Sequence, residues 1–417
     1  MRLGSTSGRP AAICLAAMAG PLIVLAGTAA PATAAAAAPA APRHAGTAAG
    51  GPLLAWGDNQ YGQLGDGTVT GEDTPGAVNP PADLRARSAR VGTFGIAVGT
   101  SGQVWTWGRG EEGELGNGAT TDRHRPVRVR LPGGAKVSAV RAGADFAVAL
   151  TTAGRVLAWG LGTSGQLGDG ARQSSDLPVW VRLPRGVLVK AISAGADSAF
   201  ALTRTGRVLA WGDNQAGELG DGRPADADRP VWVAIPHHAT ITTVGAGVDH
   251  VLAVTAAGGL LAWGSNSAFD LGDGKPGIRR TPARVLLPHG VKVVEAFAGR
   301  LHSLALTVGG RVLAWGDNEA GQLGDGSFTN RPLPVYALIP RHDRIVTLAA
   351  GRDFSLALTS SGKILAWGDD GTGELGDGMD GTTRDVPFQI AAPGKVIAIG
   401  AGCDALSAMA VVTKIID

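Results

Sequence analysis

RVLAWGDNQAGELGDGRPADADRPVWVAIPHHATITTVGAGVDHVLAVT, residues 207–255, is one unit of a pattern that fills most of the chain. Within it RVLAWG (207–212) is apolar at alternate positions, and PVWVAIP (230–236) is bracketed by Pro230 and Pro236. ITTVGAG (241–247) and HVLAVT (250–255) flank a tight turn. Each reads as a short β-strand, because alternating β-branched and apolar residues suit a pleated, half-buried surface and Pro and Gly punctuate its ends. The unit recurs. Its tryptophans stand at Trp56, Trp107, Trp159, Trp211, Trp263, Trp315 and Trp367, spaced 51 residues once and 52 five times. Four strands per roughly 50 residues, repeated radially, predict an all-β fold, a seven-bladed β-propeller with four-stranded antiparallel blades, over an open solenoid.

The chain ends favour closure. The first unit starts at its LLAWG strand with no ALT-type strand before it, and the last, GAGCDALSAMAVVT (400–413), ends on an ALT-type strand with no LAWG partner. Pairing Pro52–Trp56 with Ala408–Thr413 closes the ring and removes both edges, which an open array would instead have to cap. The repeat tryptophans are expected between blades, where losing one to Ala costs roughly 3–5 kcal/mol. The AG of RAGAD, SAGAD and GAGVD is expected near the axis, where a side chain would not fit.

Between the Trp strand and the outer strand runs a loop such as GDNQYGQLGDG (57–67), whose Gly, Asp and Asn suggest a phosphate or metal cradle. Comparison of the seven copies argues for a building part instead. Two residues after the Trp stand Asp58, Arg109, Leu161, Asp213, Ser265, Asp317 and Asp369, so no charge is required there. Three after it stand Asn59, Gly110, Gly162, Asn214, Asn266, Asn318 and Asp370, residue types that tolerate positive φ, and a backbone bend is expected. The LGDG slot holds Asp in six copies and Asn117 in one. A side chain accepting nearby backbone N–H bonds survives that exchange; a metal ligand or base loses its charge. The oxygen spacing does not match a calcium loop. GRGEEG (108–113) and GLGTSG (160–165) fit GxGxxG, but no helix pattern follows to present an N-terminus to a pyrophosphate. Neither a cofactor nor a metal is expected.

The amino-terminal part is different in kind. In residues 1–34, Arg2 and Arg9 precede an apolar run from Ala11 to Gly27, and Ala32-Thr33-Ala34 offers a cleavage site, the order of a secretory signal. Residues 35–52 form an Ala/Pro-rich linker and 53–417 the propeller. A secreted or cell-envelope location follows, with no stable membrane span after cleavage. The leader carries two of the 37 basic residues and none of the 35 acids, so the mature chain is balanced in charge. That total offers no footprint for nucleic acid or anionic lipid. Cys14 leaves with the leader and follows Ile13 where a lipoprotein signal wants a small residue, and Cys403 is then alone.

FAGRLHSLALTVGGRVLAWGDNEAGQLGDG (297–326) resembles the regulator of chromosome condensation (RCC1) repeat, and the resemblance covers about residues 53–417. It implies a seven-bladed propeller closed by strands from both termini. At the position of the family histidine stand Phe94, Phe146, Ser198, His250, His302, Phe354 and Ala405, so packing or local bonding is expected there and catalysis is not. The resemblance implies no single function. Members of the family exchange nucleotide on a small GTPase, sense ultraviolet light through tryptophan clusters or, in a secreted bacterial relative, block β-lactamases with one propeller face. The leader and the balanced charge favour an exported protein-binding propeller over a guanine-nucleotide exchange factor.

Candidate binding residues lie where copies differ most, just after LGDG: TVTGEDT (68–74), ATTDRHR (119–125), RPADADR (223–229), KPGIRRT (275–281) and SFTNRPL (327–333). These loops share one face with the AGxD turns; the LP-x-G connections and ALT-x-x-G turns share the other. In the fifth copy Phe269 replaces a glycine, and with Arg279, Arg280, Phe328 and Arg331 it would make an aromatic–basic patch of the kind that anchors protein interfaces. Trp180, Trp232 and Tyr336 occupy a half-exposed outer-strand slot, and Trp180 and Trp232 are candidates for stacking on cell-wall glycan. No HExxH, GxSxG, zinc spacing or P-loop occurs, which leaves an enzyme only as a site assembled at the axis from several blades.

Overall fold

The computed structural model describes residues 50–379 and 381–415, and the expected signal and most of the linker lie outside them. Seven four-stranded antiparallel sheets follow one another, each running from an innermost to an outermost strand. The innermost strands are Ala86–Val91, Val137–Ala142, Val189–Ala194, Ile241–Ala246, Val293–Ala298, Ile345–Ala350 and Val396–Gly400. Blades are named below by their tryptophan. The Trp56 blade is composite: Ser407–Val412 pairs with Leu53–Gly57 from Leu53↔Val411 to Gly57↔Ser407, the predicted closure. Gly51 and Pro52, placed in the linker by composition, also bond to the ring, through Gly51 to Ala86 and from Val412 N–H to the Pro52 carbonyl at 3.1 Å.

All seven repeat tryptophans are fully buried. Each indole Nε1–H donates to a backbone carbonyl in the loop of the preceding blade, Trp211 to Gln166 at 2.9 Å and Trp263 to Glu218 at 2.6 Å. Trp56 donates to Glu374 at 2.8 Å, so the circuit of bonds closes where the chain ends meet. The first glycine of each LGDG lies against that same indole. A Cβ on Gly220, at φ +61°, would stand 2.7 Å from Trp263 Nε1. Glycine is required there twice over, by contact and by φ. Near the axis, a Cβ on Gly195 would meet the Gly247 carbonyl of the next blade at 2.6 Å, as the AG pattern suggested.

Two expectations need correction. The slot three residues after the Trp is not a left-handed bend, because among the described residues the non-glycines at positive φ are His237 and Phe269, and neither Gly110 nor Gly162 has a positive φ. The Asn is a clasp. Asn214 Oδ1 accepts from Leu219 N–H at 3.0 Å while its Nδ2 donates to the carbonyls of Arg223 and Ala225 at 2.8 and 3.1 Å. Where the copy has Gly162, a Cβ would strike the Gln173 carbonyl: the loop has closed into the space the clasp would fill. The second correction concerns the family-histidine slot of the last copy. Register places Ser407, not Ala405, opposite Gly57, as Phe146 is opposite Gly160, because the turn of the Trp56 blade is two residues longer.

Candidate binding faces and axial channel

The loop after each Trp strand is a self-satisfied unit. Every residue of the LGDG aspartate slot accepts a backbone N–H from two residues on, from Asp66 (2.8 Å from Thr68) to Asp377 (2.9 Å from Met379), and Asn117 does the same at 2.9 Å. The GxGxxG matches are such loops, with turns rather than an α-helix after them. Among the described residues no group of three or more His, Cys, Asp or Glu is placed to hold a metal. His250 and His302 are fully buried, with Nε2 at 2.9 and 3.0 Å from the hydroxyls of Ser303 and Ser355 on the next blades. Burial pushes them down to about 4 and about 3, so both are neutral blade-to-blade struts.

Loops and AG turns emerge together, tied by bonds such as Leu161 N–H to the Asp145 carbonyl. Apart from Asp83, Glu295 and Asp343, every acidic residue of the described chain lies in these turns or between a WG dipeptide and the end of its outer strand. Around the axis the acids of the AG turns are crowded by one another and by Asp213 of the adjoining loop. Burial first, then the carboxylates of Asp145 and Asp213, raise Asp197; burial and Asp213 raise Asp249. Among the described residues every arginine–carboxylate pair within ion-pair distance is also on this face, including Arg109–Asp145 at 2.8 Å and Arg384–Asp377 at 2.8 Å.

The opposite face is basic. Its turns between second and third strands end on Arg155, Arg207, Arg311 and Lys363, all exposed. Its connections between blades end on Arg85, Lys136, Lys292, Arg344 and Lys395, also exposed. Lys292 and Arg344 lay their stems over the turn glycines Gly258 and Gly310 of the preceding blade. The apolar stem is buried and the charge stays in water. Among the described residues none of these cations has a carboxylate within ion-pair distance.

Between the faces runs an axial cavity of about 520 Å³ lined by all seven innermost strands. Its walls are mainly Ala, Ile, Leu and Val, and its polar groups include Arg90 and Arg141 on adjacent blades, Arg87 and Lys190, and Glu295, Thr243 and Thr347 on others. Burial and the Arg141 guanidinium push Arg90 down to about 9, which leaves it charged at neutral pH. Burial raises Glu295 to about 7 although Thr347, Arg141 and Arg90 all oppose the shift.

The model of the RCC1-like domain matches residues 43–338 and 134–408. The chain belongs to that family. The ultraviolet-B receptor UVR8 of Arabidopsis thaliana is 33% identical over 328 residues, 78% of this chain and 74% of that one. The human E3 ubiquitin-protein ligase HERC2 is 30% identical over 321 residues, 74% of this chain but only 6% of that much longer protein. Among solved structures, human WBSCR16 superposes with a TM-score of 0.79 at 22% identity, covering 87% of this chain and 99% of that one. Saccharomyces cerevisiae Prp20p, described with its binding to Gsp1p and histones, gives 0.78 at 22%, covering 87% and 92%.

In this RCC1-like chain the predicted patch residues do not all converge. Phe328 is 52% exposed at a loop tip, and half-buried Phe269 holds φ 67° where its counterparts are glycine. Arg279 pairs with Asp273 at 2.9 Å and Arg331 with Asp325 at 2.6 Å, each within its own loop. Arg280 turns to the preceding blade and donates to the Asn214 and Gln215 carbonyls. Trp180, Trp232 and Tyr336 are half-buried as expected, but guanidiniums lie over their rings: Arg155 and Arg207 at 3.6 Å and Arg311 at 3.5 Å. What sequence reasoning missed is an apolar arc on the rim of the loop face. Leu338 and Val386 of successive blades both approach Gly326, and Leu333 reaches Gly274. Leu333, Leu338 and Val386 are all exposed. For Leu333 and Val386 the signal was present as apolar residues in an outer-strand slot that holds Arg or Thr in other copies, for example Arg125 and Thr281, whereas Leu338 lies just past its outer strand, Arg331–Tyr336.

Proposed function

We propose that this chain is an exported, non-enzymatic binding propeller whose loop face engages a protein. The observation that carries the reading is the combination, on that face, of concentrated acidic residues with exposed Phe328, Leu333, Leu338 and Val386 across the Trp315 and Trp367 blades. An apolar centre flanked by one sign of charge fits a partner with a basic rim around an apolar patch. The loops beneath are tied by clasp and turn bonds, so the surface is pre-organised and little ordering entropy opposes binding. Relatives known to bind proteins lend the reading support by analogy of fold.

The test is affinity capture from culture supernatant and envelope extract, comparing the full chain with F328A/L338A. A protein held by the first and lost by the second is expected. Equal capture by both would place the interface elsewhere. A glycan at Trp180 and Trp232 would first have to displace Arg155 and Arg207 from the rings. Sedimentation with purified cell wall that depends on these tryptophans would restore that reading.

A further inference from the structure

The axial cavity holds an imbalance that the binding role of the loop face does not use. Arg90 and Arg141 reach it from neighbouring innermost strands, and each uses part of its donor set on backbone. Arg90 Nη1 donates to the Ala89 and Ile399 carbonyls at 2.8 and 3.3 Å, and Arg141 Nη1 to the Val140 carbonyl at 2.8 Å. A guanidinium has five N–H donors, so most remain free to serve the cavity. Glu295 is the single carboxylate among these strands, and it is not within ion-pair distance of either arginine. Its nearest partner is the Thr347 hydroxyl at 3.4 Å. Thr243 Oγ1, in a residue 5% exposed, has no hydrogen-bond partner at all. Arg90 and Arg141, with Arg87 and Lys190 towards one end, stand against one acid in a cavity with largely apolar walls and an unpaired hydroxyl, which leaves net positive charge uncompensated in a poorly solvated place.

We propose that the axial cavity is a binding site for a small organic oxyanion, a carboxylate or phosphate received by Arg90 and Arg141. The bidentate geometry of guanidinium suits either group. The volume of about 520 Å³ suits a small metabolite. Thr243 supplies a donor or acceptor to the remainder of the ligand, and Glu295 an acceptor. Entry is from the basic face. Arg87 and Lys190 line the cavity at its end nearest that face, and unpaired cations surround them. The acids of the AG turns repel an anion at the other mouth. Opposite charges at the two ends of a low-dielectric channel direct an anion inward from one side only.

The groups that face Glu295 are Arg90, Arg141 and Thr347. Arg90 and Arg141 stay charged at neutral pH, and Cys403, pushed up to about 12, stays neutral. Glu295 at about 7 is therefore the group whose charge changes inside the cavity near neutrality. Losing its negative charge strengthens anion binding, so affinity rises as pH falls through about 7.

The experiment is calorimetric titration of the full chain with inorganic phosphate, sulfate and succinate at low salt. The variants are R90Q/R141Q, E295Q and, on the basic face, K363Q/K395Q, with thermal melts to confirm folding. The arms separate phosphate from carboxylate ligands. Saturable binding at one site is expected, weakened at least about tenfold in R90Q/R141Q and little changed in K363Q/K395Q. Sulfate, whose own charge is constant here, should bind several-fold more tightly at about pH 6 than at about pH 8, and E295Q should remove that difference. A pH dependence that survives E295Q would belong to the acids of the far mouth and would overturn the role of Glu295. Equal binding by a folded R90Q/R141Q, or no saturable binding of any of the three anions, would overturn the site itself. Loss of anion binding leaves protein capture by the loop face untouched, so the two readings fail separately.

Discussion

At one slot of each inter-strand loop, Gln63, Gln166 and Gln322 donate their amide N–H to acids, Asp58 at 2.8 Å, Asp197 at 3.2 Å and Asp317 at 2.8 Å. Glu218 occupies the same slot opposite Asp213, and neither Glu218 Oε2 nor Asp213 Oδ1 has a partner. Two carboxylate oxygens without donors share that space only if one carries a proton. Burial, with Asp213 and Asp249 adding to it, raises Glu218 to about 8. Burial likewise raises Glu114 and Asp270 to about 7. The sign follows. A folded-state value above the unfolded value of about 4.3 means that the contribution to stability is full below that pH and is lost as pH climbs to about 8. The melting temperature is expected to fall from about pH 5 to about pH 8, and E218Q, by restoring the amide donor of the sister copies, to melt a few degrees higher than the wild type at the upper end. Thermal denaturation across that range checks it; a variant that melts lower at about pH 8 would contradict the shared proton.

At the scale of the element, the strand that closes the ring is Ser407–Val412, buried along its whole length. It is hydrogen-bonded to Leu53–Gly57 on one side and to Val396–Gly400 on the other. Removing residues 403–417 exposes the edge of Leu53–Gly57 together with Leu54 and Trp56, which pack against Ala408 and Ala410 in one core cluster. A long apolar edge is a template for association. The truncated chain is therefore expected to aggregate or to melt without cooperativity, by light scattering and calorimetry. A truncated monomer melting within a few degrees of the full chain would show that the seven blades do not depend on closure. This element was legible in advance because each chain end visibly lacked what the other supplied. The Ser407 register was not, since two inserted residues in a turn change no pattern that the repeat comparison could align.

For the whole molecule, the near-balance of 37 basic and 35 acidic residues describes the sum and is silent about its arrangement. Among the described residues acids collect on the loop face with the arginine–carboxylate pairs, and Lys and Arg outside such pairs collect on the other. A near-neutral protein built this way should be retained at low salt on both anion- and cation-exchange media. R155Q/R207Q/R311Q/K363Q should lose the second retention and keep the first. Equal loss on both would mean that the faces do not act separately. The separation also gives the channel unlike mouths, which is the physical basis for directing an anion into it from one side.

By itself the sequence determined the parts that repeat: strands, seven blades, closure, buried indoles and the structural nature of the LGDG loops. Each of these rests on contacts within one unit or with the next, and seven copies expose the rule that the contacts obey. Only the tertiary structure decided what depends on position around the ring. Arg90 and Glu295 lie some 200 residues apart in sequence yet share one cavity. Leu338 and Val386 approach the same Gly326 only because successive blades stand side by side. The clasp of Asn214 depends on where loop carbonyls return, and residue type alone suggested a bend. Periodicity encodes neighbours along the chain, whereas charge, cavity and rim are sums over blades that the closed circle alone brings together.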